Sequence, residues 1–275
     1  MSKTKANTIS DVVSGEDMRF MNREHPVKFG WKHAYIAYYE PKKAIDSIIF
    51  TRAISFRTRQ TELDFAYFVK YGDGTYVFSF RGTDTEDKNF RDAVKTWFSN
   101  LDAFPLRKPK DDADAIKMAR DAGLLKDGVW GQGTIHDGFY TTWADEFKGW
   151  VRSLVCEFDI KAGDTIIFDG HSRGGSLAEL AARDMAKNLK ISCNCVTAGT
   201  PGLGTMAFQR EFRALPITGV RLVNGWDIAV SAAIGFKHGC ARKIWFPKAK
   251  IFKWLLCARV RDHYQKQYNR EVMRG

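Results

Sequence analysis

Gly170-His171-Ser172-Arg173-Gly174 sets a serine between two glycines, and this spacing is where the chain could do covalent chemistry. A serine hydroxyl is a weak nucleophile at its own pKa, so it must be held out of the packed layers and beside a base. Residues before the motif, Thr165-Ile166-Ile167-Phe168, favour a strand, and Leu177, Ala178, Leu180, Ala181 and Ala182 after it favour a helix. Strand, tight turn and helix form the setting in which G-x-S-x-G presents an exposed nucleophile, so Ser172 is expected to be one. The base is sought among His25, His33, His136, His171, His238 and His263. With this elbow the acid and then the histidine follow the serine along the chain, which leaves His238 and His263. Asp227, just after Arg221-Leu222-Val223-Asn224-Gly225-Trp226, fits an acid at a strand end. Glu179 and Asp184 ride on the elbow helix, Glu211 on the next, and Asp262 is joined to His263. Order alone leaves both histidines open.

These groups need a frame to hold them. Asp64–Tyr71 and Thr75–Phe80 read as strands of a hairpin turning through Gly72-Asp73-Gly74, and they lead into Phe80-Arg81-Gly82-Thr83-Asp84. Apolar residues recur at helical spacing in 89–101 and from about Thr141 to Phe158, where Trp143, Phe147, Trp150, Val151 and Leu154 share one side. Lys190 to Ala198 and Gly219–Val223 read as strands, and Met206 to Arg213 as a short helix. Ala34–Tyr39 and Ala44–Ile49 read as helical pieces split by Pro41. Residues 1–17 are polar and read as a loose arm, and 104–134, charged and broken by Pro and Gly, as an insertion. Strands alternating with helices imply an α/β fold with a largely parallel central sheet covered on both faces. A length of 275 residues with 44% hydrophobic content suits a single domain, 1–275.

Cysteines 156, 193, 195, 240 and 257 are odd in number and lack C-x-x-C spacing, so reduced core thiols are expected, with 193 and 195 on one side of a strand. His238-Gly239-Cys240 offers too few ligands for a metal, and neither a metal nor a cofactor is expected. No apolar run reaches membrane-spanning length and the N-terminus lacks the core of a secretion signal. The expected location is therefore the cytoplasm, or export without a cleaved signal, with peripheral membrane contact. The formal charge of +11 raises nucleic acid as a partner, but ten Lys or Arg against Asp262 and Glu271 put +8 of it in residues 241–275. There Ile244, Trp245, Phe246, Ile251, Phe252 and Trp254 alternate with Lys248, Lys250 and Lys253, as on a surface docking anionic membrane; ordinary strands or a helix with solvated lysines are the plainer alternative.

Six motifs in order resemble those of the class 3 lipases: Val77–Thr83, the patch from Trp97 to Leu101, His136–Phe139, Gly170–Gly175, Thr197–Pro201 and Asp262-His263-Tyr264. The resemblance spans about residues 64–268. It implies an α/β-hydrolase fold that cleaves acyl esters of lipids as a lipase or phospholipase, with Ser172, Asp227 and His263 as the catalytic triad. It also implies an oxyanion hole from Thr83 and the backbone N–H of Arg173, and scaffold roles for His238 and His136. Arg173 departs from the hydrophobic residue usual after the nucleophile, and the helix resembling the lid carries Glu86, Asp87, Lys88, Arg91, Asp92 and Lys95. A different class stays in view: a catalytically idle hydrolase fold serving as a basic binding module for nucleic acid, membrane or a protein.

Overall fold

β-branched and aromatic side chains, which pack well on a pleated surface, build the central sheet. In the computed structural model the described residues are 30–31, 33–35, 37, 52–57, 65–71, 74–82, 113–114, 117, 130–131, 135–225, 227, 229–230, 236–246 and 265–274. The arm at 1–17, the pieces at 44–49 and 89–101, most of 104–134, the stretch 251–256, Thr83 and His263 lie outside them.

The hairpin forms as expected from β2 (Phe65–Lys70) and β3 (Thr75–Phe80), with Phe68 opposite Phe78. Outside it, β1 (Arg52–Arg57) pairs antiparallel with β2, a strand that the sequence reading did not anticipate. Its alternation is interrupted by charge at both ends, leaving little periodic signal. A short pair, β4 (Trp130–Gly131) with β5 (Ile135–His136), closes the end of the stretch read as an insertion. Parallel strands β6 (Thr165–His171), β7 (Cys193–Ala198), β8 (Ile217–Asn224) and β9 (Arg242–Phe246) follow. The order of the central sheet is β1-β2-β3-β6-β7-β8-β9, and within it every pairing from β3 to β9 is parallel.

Alternation along the strands divides the core in two. Ile166, Phe168, Cys193 and Cys195 join Phe78, Phe80, Leu177, Leu180, Phe147 and Leu154 in one cluster. Ala198, Val220 and Leu222 join Trp31, Ala34, Tyr35, Tyr268 and Val272 in the other. Helices therefore cover both faces. One side holds α1 (Asp137–Thr142), α2 (Lys148–Glu157) and α3 (Arg173–Asp184); the other holds helical residues 30–35 and α5 (Gln265–Arg274). Between α3 and α5, α4 (Met206–Ala214) is capped by Thr205, whose hydroxyl accepts from the Phe208 N–H at 3.3 Å.

The helix expected from Thr141 starts at Asp137 and contains a π-helical turn, Trp143–Phe147, between α1 and α2. Gly138 hid the first turn from a reading of propensities. The π turn lets both Trp143 and Phe147 bury against Phe80, with ring centroids 6.4 and 5.5 Å away.

Candidate active site

Ser172 stands between β6 and α3 with φ 57° and ψ −128°, a conformation that a non-glycine residue adopts only when its surroundings enforce it. The enforcement is visible. The Ser172 N–H donates to the Ala198 carbonyl at 2.8 Å, and the Gly175 N–H donates to the Ser172 carbonyl at 3.0 Å. A Cβ on Gly170 would lie 2.3 Å from the Gly174 carbonyl, and one on Gly174 would lie 2.1 Å from the Phe80 oxygen. The two glycines are thus required by contact rather than by backbone angle. This packing brings the N-terminus of α3 against the end of β3, where Phe80-Arg81-Gly82 leaves the sheet toward Thr83. Ser172 itself is only 5% exposed. The residue as a whole is thus less open than the sequence reading expects, with its N–H held at the end of β7.

Because β3, β6, β7 and β8 run parallel, Gly82, Ser172 and Asp227 all follow their strands at one edge of the sheet, where ligands bind in open α/β sheets. Asp227 is buried. Its Oδ1 accepts the Ala229 N–H at 2.8 Å and its Oδ2 accepts the Tyr268 hydroxyl at 2.5 Å. The same hydroxyl accepts the Asn224 N–H at 3.0 Å, so one side chain of α5 fixes both the end of β8 and the carboxylate beyond it. The Tyr268 ring also meets His171, the residue before Ser172, at 5.4 Å, and Trp31 at 5.6 Å. A tyrosine forty-one residues from Asp227 left no trace in a reading of motifs; it was missed.

Deeper on that face lies a buried polar ladder. His33 bonds the Tyr67 and Tyr71 hydroxyls, each at 2.7 Å, and burial lowers its pKa to about 3. Ser79 donates to Asp169 at 2.5 Å, and burial pushes that carboxyl well above the usual carboxylate range. On the opposite face Glu179 of α3 accepts the N–H groups of Gly239 and Cys240 at 2.9 and 3.2 Å. Burial raises the Glu179 pKa, opposed by those two hydrogen bonds. The loop so held carries His238. Burial, with Arg221, Lys243 and Lys237 nearby, lowers the His238 pKa to about 3. His136 packs between Phe139 and Phe236, with centroids 5.2 and 5.6 Å away.

Cys193, Cys195 and Cys240 are free and buried, whereas Cys156 is exposed. The expectation of core thiols is corrected for Cys156, which α2 turns to solvent. No group of three or more metal-ligating side chains occurs among the described residues. Of the five expected site residues, Ser172, Arg173 and Asp227 are described at one edge of the sheet; His263 and Thr83 lie outside the described residues, with α5 beginning two positions after His263.

A largely parallel sheet, helices on both faces and a strained serine elbow define an α/β-hydrolase fold. The profile of the lipase (class 3) family matches residues 77–234, more than half of the 275, and the chain belongs to that family. Among curated proteins none matches. Among solved structures, the lipase of Rhizopus microsporus var. chinensis is 18% identical with a TM-score of 0.55, over 86% of this chain and 77% of that one. The triacylglyceride lipase of Rhizomucor miehei is 19% identical with a TM-score of 0.56, over 86% and 82%. A triacylglycerol lipase described as having a serine protease triad at its catalytic centre is 19% identical with a TM-score of 0.58, over 86% and 82%. At these identities the likeness is one of fold.

Proposed function

We propose that the protein hydrolyses carboxylic esters of lipids through an acyl-enzyme on Ser172, as a lipase or phospholipase. The observation that carries this reading is the elbow: a serine at φ 57°, directly at the N-terminus of α3, pressed against the loop after β3. Membership of a lipase family supports the substrate class. A strained backbone held by tight contacts is what a presented nucleophile needs and what an ordinary turn does not.

In the proposed cycle His263 takes the Ser172 proton as the oxygen attacks the ester carbonyl, and returns it to the leaving alkoxide. Asp227 fixes the imidazole tautomer and stabilises the imidazolium; Tyr268 and the Ala229 N–H hold that carboxylate in place. The backbone N–H of Arg173, with Thr83, receives the oxyanion, and losing one such donor costs on the order of 100- to 1000-fold in rate. Water then repeats the sequence on the acyl-enzyme. In Ser172→Ala, hydrolysis of a short-chain p-nitrophenyl ester is expected to fall to the small residue left by binding and oxyanion effects, with circular dichroism unchanged. A variant that retains most of the wild-type rate would remove Ser172 from the mechanism.

The same proposal includes peripheral contact with anionic membrane. It is supported by exposed Arg242, Lys243 and Trp245 on β9, with the Lys243 ammonium 5.4 Å from the indole centroid. Tryptophan beside lysine suits a lipid–water boundary.

A further inference from the structure

Arg221 lies in β8 on the face that packs against α3 and α4. Val220 and Leu222 on either side of it belong to the opposite core cluster, and a Cβ on Gly219, two residues earlier, would lie 3.0 Å from Cys240. The guanidinium is partly buried there, and its Nε, fully buried, has no hydrogen-bond partner among the described residues. Lys243 is its opposite number on β9 and shares its face, so two like charges stand side by side in the sheet.

The loop over this face adds to the charge. Lys237 is fixed through its backbone: its N–H donates to the Gly204 carbonyl at 2.7 Å, and its carbonyl accepts from Leu203 and Gly204 at 2.9 and 3.2 Å. His238 follows, its carbonyl accepting from Gln209 of α4 at 3.1 Å and its buried Nδ1 without a partner among the described residues. Burial first, then Arg221, Lys243 and Lys237, hold that imidazole neutral. Among the described residues no ion pair joins Arg221, Lys237 or Lys243 to a carboxylate. Glu179 acts on Arg221 from a distance, and its oxygens already accept the Gly239 and Cys240 N–H groups. A like-charged cross-strand pair and a buried donor without an acceptor are both unfavourable for the protein alone, and an anion with several oxygens relieves both.

We propose that Arg221, Lys237, His238 and Lys243 form a binding site for a phosphate monoester or pyrophosphate group, on the α3 side of β8 and β9. A guanidinium holds two phosphate oxygens in parallel, and the remaining oxygen and second negative charge suit the ammonium groups. A phosphodiester or a carboxylate offers fewer free oxygens and a single charge. The site is independent of the reaction at Ser172, and it asks more of its ligand than general attraction to an anionic surface does.

The test measures pyrophosphate binding by isothermal titration calorimetry. Cosedimentation is measured beside it, with phosphatidylcholine vesicles carrying either diether phosphatidic acid or, at equal charge, phosphatidylserine. Pyrophosphate is expected to bind the wild type, and Arg221→Gln and Lys243→Gln should each weaken it roughly tenfold or more. Arg242→Gln, opposite Val220 and so on the other face of β9, should leave it unchanged. Lys243→Gln removes a repulsion, so its unfolding temperature without ligand should not fall, and weaker binding there is not a loss of fold. A preference for phosphatidic acid vesicles over phosphatidylserine, lost in the same two variants, assigns the phosphate to a lipid headgroup; pyrophosphate binding without that preference assigns it to a soluble ester. No pyrophosphate binding by the wild type, or undiminished binding by Arg221→Gln and Lys243→Gln, overturns the site.

Discussion

Among single residues, the histidines separate by environment. A general base works best with a pKa near the operating pH. His33 and His238 are both lowered to about 3, the first by burial and the second by burial with three basic neighbours, so neither holds a proton well at neutral pH. His263→Ala is therefore expected to match Ser172→Ala in rate loss, with the double variant hardly worse than either, since residues acting as one unit are not additive. His238→Gln should retain hydrolysis and change stability instead. The unfolded chain protonates His238 below about 6.5, whereas the folded protein does so only near 3. The unfolded state thus binds the extra proton in that window, and stability is lost as pH falls through it. Removing the imidazole should make the acid-side loss shallower, as measured by urea unfolding at several pH values. A dead His238→Gln enzyme would contradict the choice of base.

Elements decide how rigidly these residues are held. Glu179 ties the middle of α3 to the loop 239–240 through two backbone N–H groups. Glu179→Ala would strand both donors in the core, at about 1–3 kcal/mol each. Thermal or denaturant unfolding should show that loss, and Glu179→Gln, which keeps one acceptor, should show less. The elbow was legible in the sequence because everything it needs is local: β-favouring residues, glycines two positions either side of Ser172, then an apolar helix. Hairpin β2–β3 was legible for the same reason. In the sequence Glu179 reads only as a charge on a helix, because its partners lie about sixty residues away. Tyr268 and the bonds of His33 to Tyr67 and Tyr71 were equally hidden, being side-chain contacts set by how elements dock rather than by spacing. β1 is not legible in the sequence because a short strand is specified by its neighbour's hydrogen bonds as much as by its own pattern.

For the whole molecule, charge distribution carries the remaining expectation. The formal charge is +11, and β9 places Lys243 beside an exposed Trp245, with exposed Arg242 preceding them on the strand. No helix among the described residues is long and apolar enough to cross a membrane. If β9 docks on anionic lipid, each basic residue adds about 1 kcal/mol, screened by salt over a Debye length of about 10 Å at 0.1 M. Arg242→Gln with Lys243→Gln should then weaken binding to phosphatidylserine-containing vesicles by roughly 2 kcal/mol at most. Hydrolysis of a soluble ester should be spared, and equal vesicle binding by the double variant would leave these as ordinary surface charges. If Ser172 is an activated nucleophile, a fluorophosphonate should label the folded protein there, and peptide mass spectrometry locates the adduct. One stoichiometric adduct is expected, on Ser172, and it should be lost in Ser172→Ala and in His263→Ala. No adduct on the folded wild type, or an adduct on another residue, would contradict that role for Ser172.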